Sequence, residues 1–204
     1  MPERLTIIDF VEKYTREYAS HVFLREKPAD HWTETTFEQT RLEAYRVAAG
    51  LMSLGINKGD RISLLSEGRN LWVIGELGIL YAGAVNVPLS IKLEEGSDLV
   101  FRIRHSDSRF VMVSGSQLPK IRRIVSELPA LEKIIVFDEI EDRRDNEITM
   151  SEVLALGDAF LKEHPDLPHY FVGAGNQWGA TYSYAMCYWE EQMWIRTKSI
   201  TCPE

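Results

Sequence analysis

Cysteine is scarce: the chain of 204 residues holds two, Cys187 and Cys202, both near its C-terminal end. Neither belongs to a CxxC or Cys/His arrangement, so a disulfide framework and a structural zinc site are not expected. Positive charge is also short. Lys and Arg total 23 against 31 Asp and Glu, a net charge of -8. Affinity for nucleic acid comes largely from cations that neutralise phosphates, so this balance excludes nucleic acid as an expected partner. The one basic cluster, Lys120, Arg122 and Arg123, is interleaved with Ile121, Ile124 and Val125 at helical spacing, which reads as a solvated helix face. Long apolar runs are missing as well. Residues 71–89 are the most apolar stretch, but Glu76, Asn86 and Pro88 interrupt it, whereas a spanning helix needs roughly 20 predominantly apolar residues. The first residues lack the basic-then-apolar order of a signal peptide, so a cytoplasmic location, at most peripheral to a membrane, is expected.

Catalytic signatures are equally sparse. There is no GxxxxGK[ST] and no GxSxG. The glycine cluster Gly173, Gly175 and Gly179 misses the dinucleotide spacing by one residue and places Trp178 beside its last glycine. His105-Ser106-Asp107 are consecutive, whereas hydrolytic triads converge from separated positions; a helix end and turn explain them better. His21, His31, His164 and His169 have no helical i, i+4 partner and read as surface or loop residues. Glu94 and Glu95 suit the start of a helix, where carboxylates meet the positive dipole end. The acidic run 138–145, mixed with arginines, suits a solvated loop. No catalytic, cofactor-binding or metal-binding residue is assigned.

What the sequence does hold is alternation. Hydrophobic residues make up 45% of the chain, enough for a core, since a domain of this size removes roughly 70% of its unfolded surface from water. Thr35 and Thr36 ahead of Phe37, Glu38 and Gln39 give the capping-box arrangement of a hydroxyl followed three residues later by Glu or Gln, and Tyr45, Ala48, Ala49, Leu51 and Met52 continue as an apolar stripe up to Gly55. Strands are expected at 61–66, 85–89, 109–114 and 133–137, and helices at 69–82, 94–105, 117–128 and 150–163. Strand–helix alternation predicts an α/β fold with a mostly parallel, doubly wound sheet and helices on both faces. Pro165 and Pro168 mark a boundary, giving a first domain at 1–168 and an aromatic-rich tail at 169–204 that holds Trp178, Trp189 and Trp194.

The order of these segments is specific. Thr36-Phe37-Glu38-Gln39, Ala48-Ala49-Gly50-Leu51, Leu54-Gly55-Ile56, Lys58-Gly59-Asp60-Arg61-Ile62 and the run from Leu80 through Gly83 and Asn86 to Leu89 together resemble the amino-terminal part of the adenylate-forming, AMP-binding superfamily. His105-Ser106-Asp107 before a strand, and residues 128–138, are similar to its long-chain fatty acyl-CoA synthetases in particular. Gly55 and Gly59 are expected in turns, Gly83 at a close helix–strand contact and Pro88 at a strand end.

The resemblance covers residues 5–165 and implies an incomplete N-terminal domain of that fold. Its parent reaction joins a fatty acid to CoA with ATP and Mg, through an acyl-adenylate. The family's phosphate loop would follow Pro168, yet 170–204 has no run of hydroxyl residues and glycines with a lysine. The resemblance therefore implies a truncated ligase, inactive alone, that arises as a fragment or through a reading-frame change near residue 170. Its cofactors ATP, Mg and CoA, and its substrates fatty acid and CoA, belong to the complete enzyme. Self-association through unpaired sheet edges is expected of such a fragment. The alternative is a non-catalytic α/β interaction module whose aromatic tail binds a partner.

Overall fold

Six helices and seven strands make up the computed structural model, which describes residues 5–28, 30–94 and 96–165. The chain opens with α1 (Ile7–Tyr18), then a hairpin of β1 (Val22–Glu26) and β2 (Thr33–Thr36). There follow α2 (Phe37–Ser53), β3 (Arg61–Leu65), α3 (Asn70–Tyr81), β4 (Val85–Leu89), α4 (Ser97–His105), β5 (Phe110–Val113), α5 (Leu118–Ile124), β6 (Lys133–Val136), β7 (Glu147–Thr149) and α6 (Met150–Glu163). β3 to β7 form one sheet in the order β4-β3-β5-β6-β7, and every pairing in it is parallel.

Strand alternation sends successive side chains to opposite faces, and each face carries its own core. Ile62, Leu64, Phe110, Met112 and Ile135 pack beneath α2, α3 and α6; Leu65, Val111, Val113, Ile134 and Val136 pack against α4 and α5. Central strands buried on both sides read as continuous apolar runs, as β5 does in Phe110–Val113. The expected doubly wound α/β sheet is therefore present.

α2 is the central helix of the first face. Thr36 caps it, accepting from the Gln39 N–H while the Gln39 side chain accepts from the Thr36 N–H. It runs against α6 closely enough that a Cβ on Gly157 would sit 2.0 Å from the Arg46 carbonyl oxygen, and one on Gly50 2.2 Å from that of Val153. α1 is fixed to this layer by Glu12, 4% exposed, whose Oε1 accepts from Arg41 Nε at 2.8 Å, Tyr45 Oη at 2.6 Å and Tyr81 Oη at 2.7 Å. Burial pushes the Glu12 carboxyl up, but those three donors outweigh it and hold the group below its ordinary value.

Several expectations need correction. The helix expected at 94–105 starts at Ser97, because 90–93 closes as a turn, with the Leu93 N–H on the Ser90 carbonyl. Asp98, rather than Glu94, is the acid of its first turn. The helix expected at 117–128 ends at Ile124 and tightens into a 3-10 turn, Val125–Glu127. The basic cluster is not uniformly solvated: Arg122 grips the buried Glu147 through two bonds of 2.7 Å, and Lys120 Nζ donates to the carbonyls of Ile91 and Leu93. Gly83 serves backbone conformation, φ 73°, and a Cβ there would meet Lys58 only at an ordinary 3.4 Å. Gly55 and Gly59 do take positive φ, as turn positions require. Pro88 lies inside β4, paired with Leu64, and is tolerated because β4 is an edge strand.

Candidate functional site

A ligand crevice in a doubly wound sheet lies beyond the carboxyl ends of the strands, where the strand order reverses. Here that point falls between β3, whose chain goes on to β4 on one side, and β5 on the other. The loops leaving these two strands, 66–69 and 114–117, are polar and meet face to face.

Glu67 is the hub. Its Oε2 accepts from Ser114 Oγ at 2.7 Å, and its Oε1 accepts from Ser116 Oγ at 2.8 Å and Gln117 Nε2 at 2.5 Å. Burial raises the affinity of this carboxyl for a proton, but the hydrogen bonds from Ser114, its own backbone, Gln117 and Ser116 prevail and bring its pKa down to about 2. Asp138, at the end of β6, ties in the third loop. It accepts from Arg69 Nη1 at 2.8 and 3.0 Å and from the Gly115 N–H at 2.7 Å. Next to Arg69, the Asn70 N–H at the start of α3 donates to Glu26 Oε2 from the hairpin at 2.5 Å. The loops after β3, β5 and β6 are thus crosslinked by carboxylates that are already satisfied.

That saturation decides the chemistry. A general base works best with a pKa near the operating pH, and a carboxylate near 2 with three side-chain donors is an anchor instead. Among the described residues no cluster of three His, Cys, Asp or Glu side chains could hold a metal. The carboxylates of the cluster are occupied by protein donors, so these residues do not fit a magnesium site. Gln117 Oε1 is, with Thr15 Oγ1 and Asn86 Oδ1, among the buried side-chain atoms of the described residues without a hydrogen-bond partner, and it alone of the three belongs to this cluster. It remains an acceptor for a donor from outside the described residues.

The residues weighed from the sequence fall elsewhere. His105, Ser106 and Asp107 precede β5 and so lie at the amino-terminal ends of the parallel strands, opposite the crevice. There His105 stacks on Phe101, Ser106 Oγ donates to the Ile103 carbonyl, and Asp107, at φ 53°, pairs with Arg61. They form a helix end and turn, as expected. His21 and His31 are exposed loop residues, and His164 ends α6 against Phe160. Within 138–145 the residues from 141 onward are exposed, in keeping with a solvated loop, while Asp138 belongs to the crosslinked cluster. Gly173, Gly175, Gly179, His169, Cys187, Cys202 and the tail's Trp178, Trp189 and Trp194 lie outside the described residues. Sequence reasoning missed Glu67, Arg69, Ser114, Ser116 and Gln117. Their signal was polar residues directly after apolar strands, which acquires meaning only once β3 and β5 are known to be neighbours.

Comparison with known proteins places the geometry in context. Residues 11–169 match the AMP-binding enzyme family. The chain is 25% identical over 164 residues to the long-chain-fatty-acid–CoA ligase ACSBG2 of Xenopus laevis, covering 79% of this chain and 22% of that protein. It is 24% identical over 149 residues to 4-hydroxybutyrate–CoA ligase 2 of Metallosphaera sedula, covering 73% and 26%. Among solved structures, the anthranilate CoA ligase AuaEII in complex with anthranoyl-AMP superposes with a TM-score of 0.68 at 26% identity, over 76% of this chain and 29% of that one. Coronafacic acid ligase from Pectobacterium brasiliense gives 0.67 at 26% identity, over 74% and 29%. The chain thus spans about a quarter of the length of the proteins it matches. With a matching parallel sheet, matching helices and a family match over most of its length, the chain belongs to the AMP-binding enzyme family.

Proposed function

We propose that this chain is the amino-terminal part of an AMP-forming long-chain fatty acid–CoA ligase and that it does not complete the reaction alone. In the parent reaction a fatty carboxylate and ATP give an acyl-adenylate and pyrophosphate, and CoA then displaces AMP. One observation carries the reading: a family match over residues 11–169 accompanies a cluster at the switch point whose carboxylates are saturated and unsuited to proton transfer. On this view Glu67 and Asp138 set the positions of the β3, β5 and β6 loops, and the reacting groups come from elsewhere in a complete ligase. Residues 1–168 form the partial domain and 169–204 a separate tail. No helix among the described residues is long and apolar enough to cross a membrane; a cytoplasmic setting is part of the proposal.

ATP–pyrophosphate exchange with a long-chain fatty acid is the direct test. The purified 204-residue chain is expected to show no exchange above a no-protein control. Sustained, fatty-acid-dependent exchange would overturn the inactive reading and relocate catalysis into the chain itself. Sequencing the gene beyond residue 170 tests the reading-frame version, which predicts a glycine- and hydroxyl-rich loop with a lysine encoded in another frame.

A further inference from the structure

We propose that the outward face of the α4 and α5 layer is a peripheral membrane-contact surface that meets anionic phospholipid headgroups. The two faces of the sheet differ in charge. α4 and α5 hold five Lys and Arg, namely Arg102, Arg104, Lys120, Arg122 and Arg123, against one acid, Asp98. The helices of the other face, α1, α2, α3 and α6, hold five Lys and Arg against nine acids. A basic layer thus stands on a chain whose net charge is -8. In the flanking turns Lys92 stands against Glu94, Glu95 and Glu127, which trims the excess without reversing it.

The chain does not spend all of that charge on itself. Glu147 takes up Arg122, but Lys120 Nζ donates to the carbonyls of Ile91 and Leu93, which are neutral and leave its charge in place. Arg102 and Arg104 are exposed and have no ion pair among the described residues. Leu99, Val100 and Ile103 turn into the core, so at 3.6 residues per turn Phe101 and His105 form the outward crest of α4, and Arg102 and Arg104 fall on its two flanks. Phe101 is 62% exposed, the most of any large apolar side chain among the described residues, and its ring stacks on His105 with centroids 5.2 Å apart. A phenyl ring between two guanidinium groups suits an anionic lipid interface. The ring enters the acyl boundary, and the arginines stay level with phosphate groups, which their paired N–H donors match. A planar surface also meets one face of the molecule at a time. The acidic helices remain on the far side of the sheet, beyond the screening length of about 8 Å at physiological salt.

Cosedimentation of the full chain with large unilamellar vesicles tests this. At about 0.1 M salt the chain is expected to bind phosphatidylcholine vesicles that contain about 30% phosphatidylserine and to leave pure phosphatidylcholine vesicles unbound. Binding should be lost at about 1 M salt, where the screening length falls to about 3 Å. Arg102→Glu with Arg104→Glu should weaken binding to the anionic vesicles at least about tenfold, and Phe101→Ser at least about threefold. Lys13→Glu with Arg16→Glu makes the same change of net charge on exposed positions of α1, on the other face, and should stay within about twofold of the wild type. Far-UV circular dichroism checks that each variant stays folded; should the α4 pair unfold, Arg102→Gln with Arg104→Gln decides, with a loss of at least about threefold expected. A wild-type chain that ignores anionic vesicles overturns the proposal. So does equal binding to both kinds of vesicle, or a loss as large for the α1 pair as for the α4 pair. Retention on heparin through Arg102 and Arg104 without vesicle binding also overturns it, and would assign the face to a soluble polyanion.

Discussion

At the scale of single residues, the molecule holds carboxylates low by surrounding them with donors, and this makes its acid response specific. Glu67 has an ordinary pKa of 4.5 and a folded value of about 2. A depressed folded value means that the ionised form is the one the fold prefers. Its contribution is thus fully present above about pH 4.5 and is lost as pH falls towards 2. Glu67→Gln should flatten that part of the stability-against-pH profile, measured by urea midpoints between pH 5 and about 2.5, while changing little in the profile's shape near neutrality. An unchanged acid limb would show that the Ser114, Ser116 and Gln117 bonds do not persist in solution. Glu147 is a sharper case because its side chain has no exposure and Arg122 binds both of its oxygens. The Arg122 guanidinium holds this carboxyl below its usual range. Removing one partner leaves the other charge buried alone, so Arg122→Ala should destabilise by about 3–5 kcal/mol in equilibrium denaturation. A loss below 1 kcal/mol, the size of an exposed pair, would refute the buried geometry.

At the scale of elements, helix ends and close approaches set the layout. α1, α2 and α6 each start with a reciprocal capping box, on Thr6, Thr36 and Thr149. Thr36→Ala is expected to cost about 1 kcal/mol, and Thr36→Ser to restore most of it, since only a hydroxyl oxygen at that position matters. Gly157→Ala belongs to another class. Its Cβ would sit 2.0 Å from the Arg46 carbonyl, which is backbone that cannot rotate away, so α2 and α6 must separate. The expected cost is at the upper end of overpacking, about 3 kcal/mol or more, read as a drop in Tm. The caps and strands were legible because they are local: Thr36 with Gln39, or the apolar run 85–89, needs no tertiary knowledge. The hairpin was not, because its strands are mostly exposed and carry no tight two-residue turn signal. α1 escaped notice because aromatic side chains on its outer face blur the single apolar stripe that identifies an amphipathic helix. β7 has only three residues, and its Glu147 reads as surface until Arg122 is seen to reach it. The candidate site was illegible for a related reason: Glu67 and Ser116 meet across neighbouring strands, and strand order is not written in local pattern.

For the whole molecule, the question is whether a chain that spans about a quarter of the length of its relatives stands as a folded body. The expectation from sequence was an unfinished sheet with reactive edges. The described residues form a five-stranded parallel sheet with an apolar core on each face. Neighbouring strands share both cores, because alternate residues of each strand enter opposite ones. Neither layer can therefore melt without exposing the other. The polar crosslinks act in the same sense: Asp138 joins the loops after β3, β5 and β6, and Glu12 joins α1 to α2 and α3. Unfolding should accordingly be a single cooperative transition, with far-UV circular dichroism and tyrosine–tryptophan fluorescence giving coincident urea curves. Glu12→Leu makes the same point at longer range. It removes the acceptor that Arg41, Tyr45 and Tyr81 share, and it should lower the common midpoint for both probes rather than release α1 alone. Two separated transitions in the wild type, or a Glu12→Leu chain whose α1 frays while the sheet signal keeps its midpoint, would mean that the two cores do not bind the body into one cooperative unit.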